Sequence, residues 1–147
     1  MPSLFPTFDA PMLAEDSAES QVQYPQSWLY DFENGRVVID GSGRAVMADG
    51  LTAWAQWCIK AASTLRFANL AYGPDFGCEH ETARRQPTRK AAESELERAI
   101  TEALIVDPRT EMVRDFTFTW SGDELLVSFT AIPVIGDPKR LEVRMNG

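Results

Sequence analysis

From Ala92 onward, apolar residues recur at Leu96, Ala99, Ile100, Ala103 and Leu104, while Glu93, Glu97, Arg98, Thr101 and Glu102 fall off that stripe. Such spacing paints one face of an amphipathic helix. The pattern stops at Asp107-Pro108, because a proline ring clashes with helical geometry in the residue before it. Met112 to Trp120 then switches to a period of two, with Phe116, Phe118 and Trp120 pointing one way and Asp115, Thr117 and Thr119 the other. A helix followed at once by an aromatic strand predicts that the helix lies across a sheet and shares its core.

The same test applied along the chain predicts the remaining elements. Trp28, Tyr30 and Phe32 alternate with Asp31 and Glu33, and Asn34-Gly35 separates them from Arg36-Val-Val-Ile, a strong hairpin signal. Arg44 to Met47 is a candidate short strand. Asp49 is placed to cap a second helix, whose stripe is Leu51, Trp54, Ala55, Cys58, Ile59 and Ala62, running to about Thr64. Trp57 falls on its flank, where a tryptophan serves either the edge of the core or an interface. Leu65 to Leu70 either continues that helix or is extended. Tyr72-Gly-Pro-Asp-Phe-Gly has the residues of a turn, and Cys78 to Gln86 has room for a short helix before Pro87.

Ser121-Gly-Asp is a tight turn into Leu125 to Ile132, a strand with apolar residues on both faces and therefore expected to be central. Arg140 to Met145 alternates Leu141, Val143 and Met145 with Arg140, Glu142 and Arg144. Charge on one face of a last strand is the usual protection of an exposed sheet edge. The fold class is α+β: a small, mostly antiparallel sheet packed by two main amphipathic helices in one domain, residues 28–147. Residues 1–27 contain four prolines and four acids, no Lys or Arg, and no sustained period. They predict an extended arm whose apolar hooks are Leu4, Phe5, Phe8 and Leu13.

Composition narrows the partners. The chain has 147 residues, 44% of them hydrophobic, with a net charge of −8 and an isoelectric point near 4.6. That suits one domain with a real core, and it argues against nucleic acid or an acidic membrane surface as direct partner. No run approaches the ~18 apolar residues of a membrane helix. No secretory signal pattern opens the sequence. Two cysteines, Cys58 and Cys78, do not make a disulfide framework and are expected to be reduced.

Candidate chemistry is sparse. His80 is the single histidine, and a nucleophilic site would need it beside Cys58 or Cys78. Cys78-Glu79-His80 joins three potential ligands, but neighbours in sequence rarely converge on one metal and no second cluster completes a shell. Asp75, Glu79 and Glu81 are the carboxylates available for glycoside hydrolysis; in so acidic a chain such clusters also arise by composition. Gly41-Ser-Gly lacks the spacing of a phosphate loop. The remaining feature is Asp107-Pro108-Arg109. A carboxylate at a helix C-terminus is disfavoured by roughly 0.3–1 kcal/mol, which Arg109 could offset. The corner is either a helix stop with an ion pair or a preorganised guanidinium offered to a partner carboxylate.

Three pieces in this order resemble the baseplate wedge and sheath-initiator family of contractile phage tails, sometimes labelled lysozyme-like, and more closely its prophage and tail-like bacteriocin branch. They are Tyr30-Asp-Phe-Glu-Asn-Gly leading to Asp49-Gly-Leu-Thr-Ala-Trp-Ala-Gln-Trp-Cys; Leu70-Ala-Tyr-Gly-Pro-Asp-Phe-Gly; and Glu93 to Leu104 with Val106-Asp-Pro-Arg and the Phe116-Thr-Phe strand. The resemblance covers about Trp28 to Val143. It implies a structural protein of the tail baseplate in a virion or bacteriocin particle, made in the bacterial host cytoplasm. It also implies partners among other wedge proteins, the tail sheath and the tube or hub, with no cofactor. The family's Glu-Pro-Arg corner falls on Asp107, Pro108 and Arg109, one methylene shorter at the acid. The lysozyme-like label matches no carboxylate pair in this chain; a tail-associated cell-wall hydrolase is the alternative. Expected partner-binding residues are Asp107, Pro108, Arg109 and Trp57, with Arg140, Leu141, Glu142, Val143 and Arg144 of the last strand as an edge that accepts a sheath strand.

Overall fold

The structure is a computed structural model that describes residues 22–68 and 71–145. Expectations for the hooks Leu4, Phe5, Phe8 and Leu13, and for Leu70, lie outside the described residues.

The N-terminal half opens with four two-residue strands, β1 (Ser27–Trp28), β2 (Tyr30–Asp31), β3 (Arg36–Val37) and β4 (Met47–Ala48). β1 pairs with β4 and β2 with β3, both antiparallel. The β2–β3 turn is longer than the Asn-Gly signal predicts: Asp31 faces Arg36 across the ladder, so residues 32–35 all belong to the loop. The cause is the Asp31 carboxylate. It accepts from the backbone N–H of Glu33 (3.0 Å) and Asn34 (3.2 Å) and from Asn34 Nδ2 (2.6 Å), closing the turn early. Gly35 still supplies the positive φ (64°) with which the chain re-enters β3.

α1 (Gly50–Ser63) begins where Asp49 accepts the N–H of Thr52 at 2.7 Å, the expected cap. Its first residue must be small, since a Cβ on Gly50 would lie 2.3 Å from the Tyr24 carbonyl oxygen. Leu65 does not continue the helix. It bridges in parallel to Cys78, which brings the turn at residues 72–77 back beside the end of α1. α2 (His80–Arg84) is the short helix before Pro87. α3 (Arg89–Ile105) is capped by Thr88, whose hydroxyl accepts from the N–H of Ala91. It buries Ala92, Leu96, Ala99, Ile100, Ala103 and Leu104, the stripe read from the sequence.

β5 (Thr110–Ser121), β6 (Glu124–Pro133) and β7 (Lys139–Met145) form an antiparallel sheet in the order β5-β6-β7. β6 is central, as predicted. Its inner residues Leu125, Val127, Phe129 and Ala131 are fully buried. α3 lies against β5 and α1 against β7, so one face of the sheet carries both helices and one core. Complete burial of an aliphatic side chain such as Leu96 contributes about 1.5–3 kcal/mol.

β5 departs from simple alternation. Arg114 faces Thr130 and Thr117 faces Ser128, so Asp115 and Phe116 together oppose Phe129. This bulge puts Asp115 at a positive φ of 58°. It also lets Val113 and Phe116, three positions apart, both reach the core side, where Phe116 stacks on Phe129 at 5.5 Å.

Candidate assembly interface

The Asp107-Pro108-Arg109 corner joins α3 to β5, and its ion pair closes within the chain. Arg109 Nε donates to Asp107 Oδ1 (2.9 Å) and Nη2 to Oδ2 (2.8 Å), a two-pronged geometry, while the Arg109 backbone N–H donates to Oδ1 at 2.9 Å. Both side chains are only 12–13% exposed. Its hydrogen bonds to the Asp107 carboxylate raise the Arg109 pKa and hold the guanidinium charged. That guanidinium sits 5.7 Å from the centre of the Trp57 ring. The ion pair expected at the helix stop is therefore present within the chain, shielded from solvent by its surroundings.

The corner is also a junction. Its Arg109 carbonyl accepts from the Val134 N–H (2.9 Å) and from the Tyr24 hydroxyl (3.0 Å), and that hydroxyl accepts in turn from the Ile135 N–H (3.1 Å). One residue on, buried Trp54 donates from Nε1 to Thr110 Oγ1 at 3.0 Å. Tyr24 lies inside the stretch expected to be an arm and carried no periodic signal; only its contacts reveal its place. Ile105, Val106, Val134 and Ile135, which adjoin these residues in the chain, are exposed apolar side chains. Trp57 is half-buried and meets Phe76 edge-on at 6.2 Å.

β7 forms the second feature, a sheet edge. The two-residue turn Gly122-Asp123 makes Ser121 and Glu124 the hydrogen-bonded closing pair. Alternation along β6 then turns the backbone of Leu125, Val127, Phe129 and Ala131 toward β7, opposite Met145, Val143, Leu141 and Lys139. The N–H and C=O groups of Arg140, Glu142 and Arg144 consequently face away from β6. Leu141 and Val143 bury their side chains in the core and spend their backbone groups on β6, so the outward hydrogen-bonding groups of this edge are those of Arg140, Glu142 and Arg144.

The charged side chains of β7 differ in availability. Arg144 makes an exposed ion pair with Glu124 at 3.3 Å. Arg140 reaches across the outer face of the sheet, donating to the carbonyl of Asp115, to Thr130 Oγ1 (3.3 Å) and to Thr117 Oγ1 (3.1 Å). It therefore links all three strands at the bulge, an engagement the alternation of charge could not reveal. Glu142 is exposed between them.

The candidate catalytic groups occupy dissimilar settings. Asp75 is exposed in its turn. Glu79 lies 3.8 Å from Arg66, and Glu81 lies 3.9 Å from Arg85. His80 has its pKa lowered by burial and its Nδ1 is buried without a hydrogen-bond partner. Cys58 and Cys78 are free thiols, each pushed up to about 12 by burial, which keeps them protonated and poorly nucleophilic near neutral pH. Among the described residues no group of three or more His, Cys, Asp or Glu is placed to hold a metal ion, and no helix is long and apolar enough to cross a membrane.

A sheet edge on which no strand pairs among the described residues, and a corner whose ion pair is closed, suit a protein that joins others in an assembly. The chain belongs to the contractile injection system sheath initiator family, whose model matches residues 26–134. It is also similar to the phage-like element PBSX protein XkdS of Bacillus subtilis (strain 168), with 34% identity over 119 residues, covering 76% of this chain and 77% of that protein. The chain is thus a sheath initiator of a contractile injection system, a member of a structural protein family. Membership implies interaction with tail sheath and baseplate components.

Proposed function

We propose that this protein starts the sheath by presenting the outer edge of β7 as a template to which a strand of the first sheath subunit adds, while the corner and its apolar surroundings seat it among the wedge proteins around the tube. The observation that carries the first part is the orientation of β7. The backbone groups of Arg140, Glu142 and Arg144 face away from the sheet, and an unpaired edge accepts another strand through main-chain hydrogen bonds. β7 lies beyond the residues matched by the family model, so this part rests on geometry. The second part is supported by the exposed Ile105, Val106, Val134 and Ile135 near a corner whose own charges are already satisfied. Arg109 then acts by holding the corner's shape, and Trp57 by packing beneath its guanidinium.

The test is Glu142→Pro. It removes an N–H that points outward and leaves the bonds between β6 and β7 in place, so the domain is expected to stay folded. Baseplates and tubes without sheath are the expected product. Normal sheath on baseplates that contain the folded variant would remove β7 from the initiation step.

A further inference from the structure

Two grooves run beside α1 and meet. One, of about 610 Å³, follows the edge of β7 and is lined by Ile59 and Ser63 of α1, Phe32 and Glu33 of the β2–β3 turn, and Glu142 and Arg144. The other, of about 600 Å³, lies between α1 and the first strands, with Trp28, Tyr30, Phe32, Trp57, Lys60 and Ser63 among its walls. Phe32 and Ser63 belong to both, so the sheet edge opens into an aromatic groove. Trp28, Tyr30 and Phe32 are 55%, 38% and 43% exposed. Their backbone is held in place: Gln56 Oε1 accepts from the Tyr30 N–H at 2.7 Å, and Gln56 Nε2 donates to the Trp28 carbonyl at 3.1 Å. Aromatic side chains presented from a backbone pinned at Trp28 and Tyr30, with Phe32 packed edge-on against Tyr30 at 4.9 Å, form the kind of preformed, low-entropy surface that anchors a partner.

We infer that the sheath segment that adds to β7 continues past the edge into this groove, where it places an aromatic or large aliphatic anchor among Trp28, Tyr30, Phe32 and Trp57. The inference rests on the β7 reading and adds the partner's side-chain chemistry to it. Continuity argues for one occupant. The core-side residues of a strand beside Leu141 and Val143 fall toward Ile59 and Phe32, which makes them apolar, and Phe32 is also the wall of the aromatic groove. Charge argues for a foreign chain over a second copy, because two chains of net charge −8 repel. Lys60, the charged residue lining the aromatic groove, lies 4.9 Å from the centre of the Tyr72 ring and 5.9 Å from that of Phe76. It favours an acidic residue next to the anchor.

The experiment measures binding of the purified sheath protein of the same particle to the full chain and to three variants: Phe32→Ser, Phe32→Leu and Glu142→Pro. Phe32 is exposed, so its variants are expected to fold, as circular dichroism and thermal melting would check. Phe32→Ser is expected to weaken sheath binding by about tenfold or more, Phe32→Leu to retain most of it, and Glu142→Pro to abolish it. Loss with Glu142→Pro but unchanged binding with Phe32→Ser would keep the β7 edge and overturn the groove. Unchanged binding with both would overturn both. Loss with Phe32→Ser alone would overturn the continuous segment and the edge with it. Self-association of the wild-type chain that Phe32→Ser abolishes would make the groove a contact between copies and also overturn the inference.

Discussion

Arg109 ties several elements together. Its guanidinium meets Asp107 at two points, lies against Trp57, and its carbonyl receives Tyr24 and Val134. Because the pair is nearly buried, Arg109→Ala leaves a carboxylate without its partner. The isolated domain is expected to lose about 3–5 kcal/mol, measured by urea denaturation. Arg109→Lys should fall between the two, since an ammonium cannot reproduce both prongs. A loss under ~1 kcal/mol, the value for exposed pairs, would mean that the corner is not sealed in solution. The two cysteines lead to a second expectation. With Cys58 and Cys78 buried and their pKa values near 12, neither thiol should react with a disulfide reagent at neutral pH until the chain unfolds, and then both should, at one rate set by opening. Rapid labelling of either thiol in the native protein would contradict that burial.

Among the elements, β5 and β7 depend on each other through Arg140. The guanidinium bonds the Asp115 carbonyl, where the backbone is left-handed, so Arg140→Ala removes the clamp on a strained residue. Exchange of the amide hydrogens around residues 113–117 is expected to accelerate several-fold while the α3 amides keep their protection. Unchanged exchange there would mean that the bulge is held by Phe116 packing alone. The same elements show what the sequence could convey. Both main helices were legible because a 3.6-residue stripe fixes a buried face, and Asp49 marked where one begins. β6 was legible as central because both of its faces are apolar. The bulge was not read, although Val113 and Phe116, apolar at positions of opposite parity, carry its signal. The pairing of β1 with β4 was harder still: two residues give no period, and the partner lies about twenty positions away. At the candidate interface, the edge character of β7 was legible from alternating charge. Asp107 was legible as a possible partner of Arg109, whereas the partners of Arg140 required the folded geometry, since a side chain's choice among nearby acceptors is not written in spacing.

At the scale of the whole molecule, one face of the sheet is closed by α1 and α3, and β7 bounds the sheet beside a groove walled by α1 and the β2–β3 turn. A domain so arranged can receive a strand at β7 without opening its core, because the inward side chains Leu141, Val143 and Met145 are already packed. The most direct measurement places a thiol at the outer edge by Glu142→Cys, with the native cysteines buried, and cross-links it in purified particles with a short bifunctional reagent. In sheathed particles the cross-linked product should contain this chain and the sheath protein, and in baseplate–tube complexes that lack sheath it should be missing. Cross-links from that position to a baseplate protein in both kinds of particle, with none to sheath, would contradict a sheath that begins on β7.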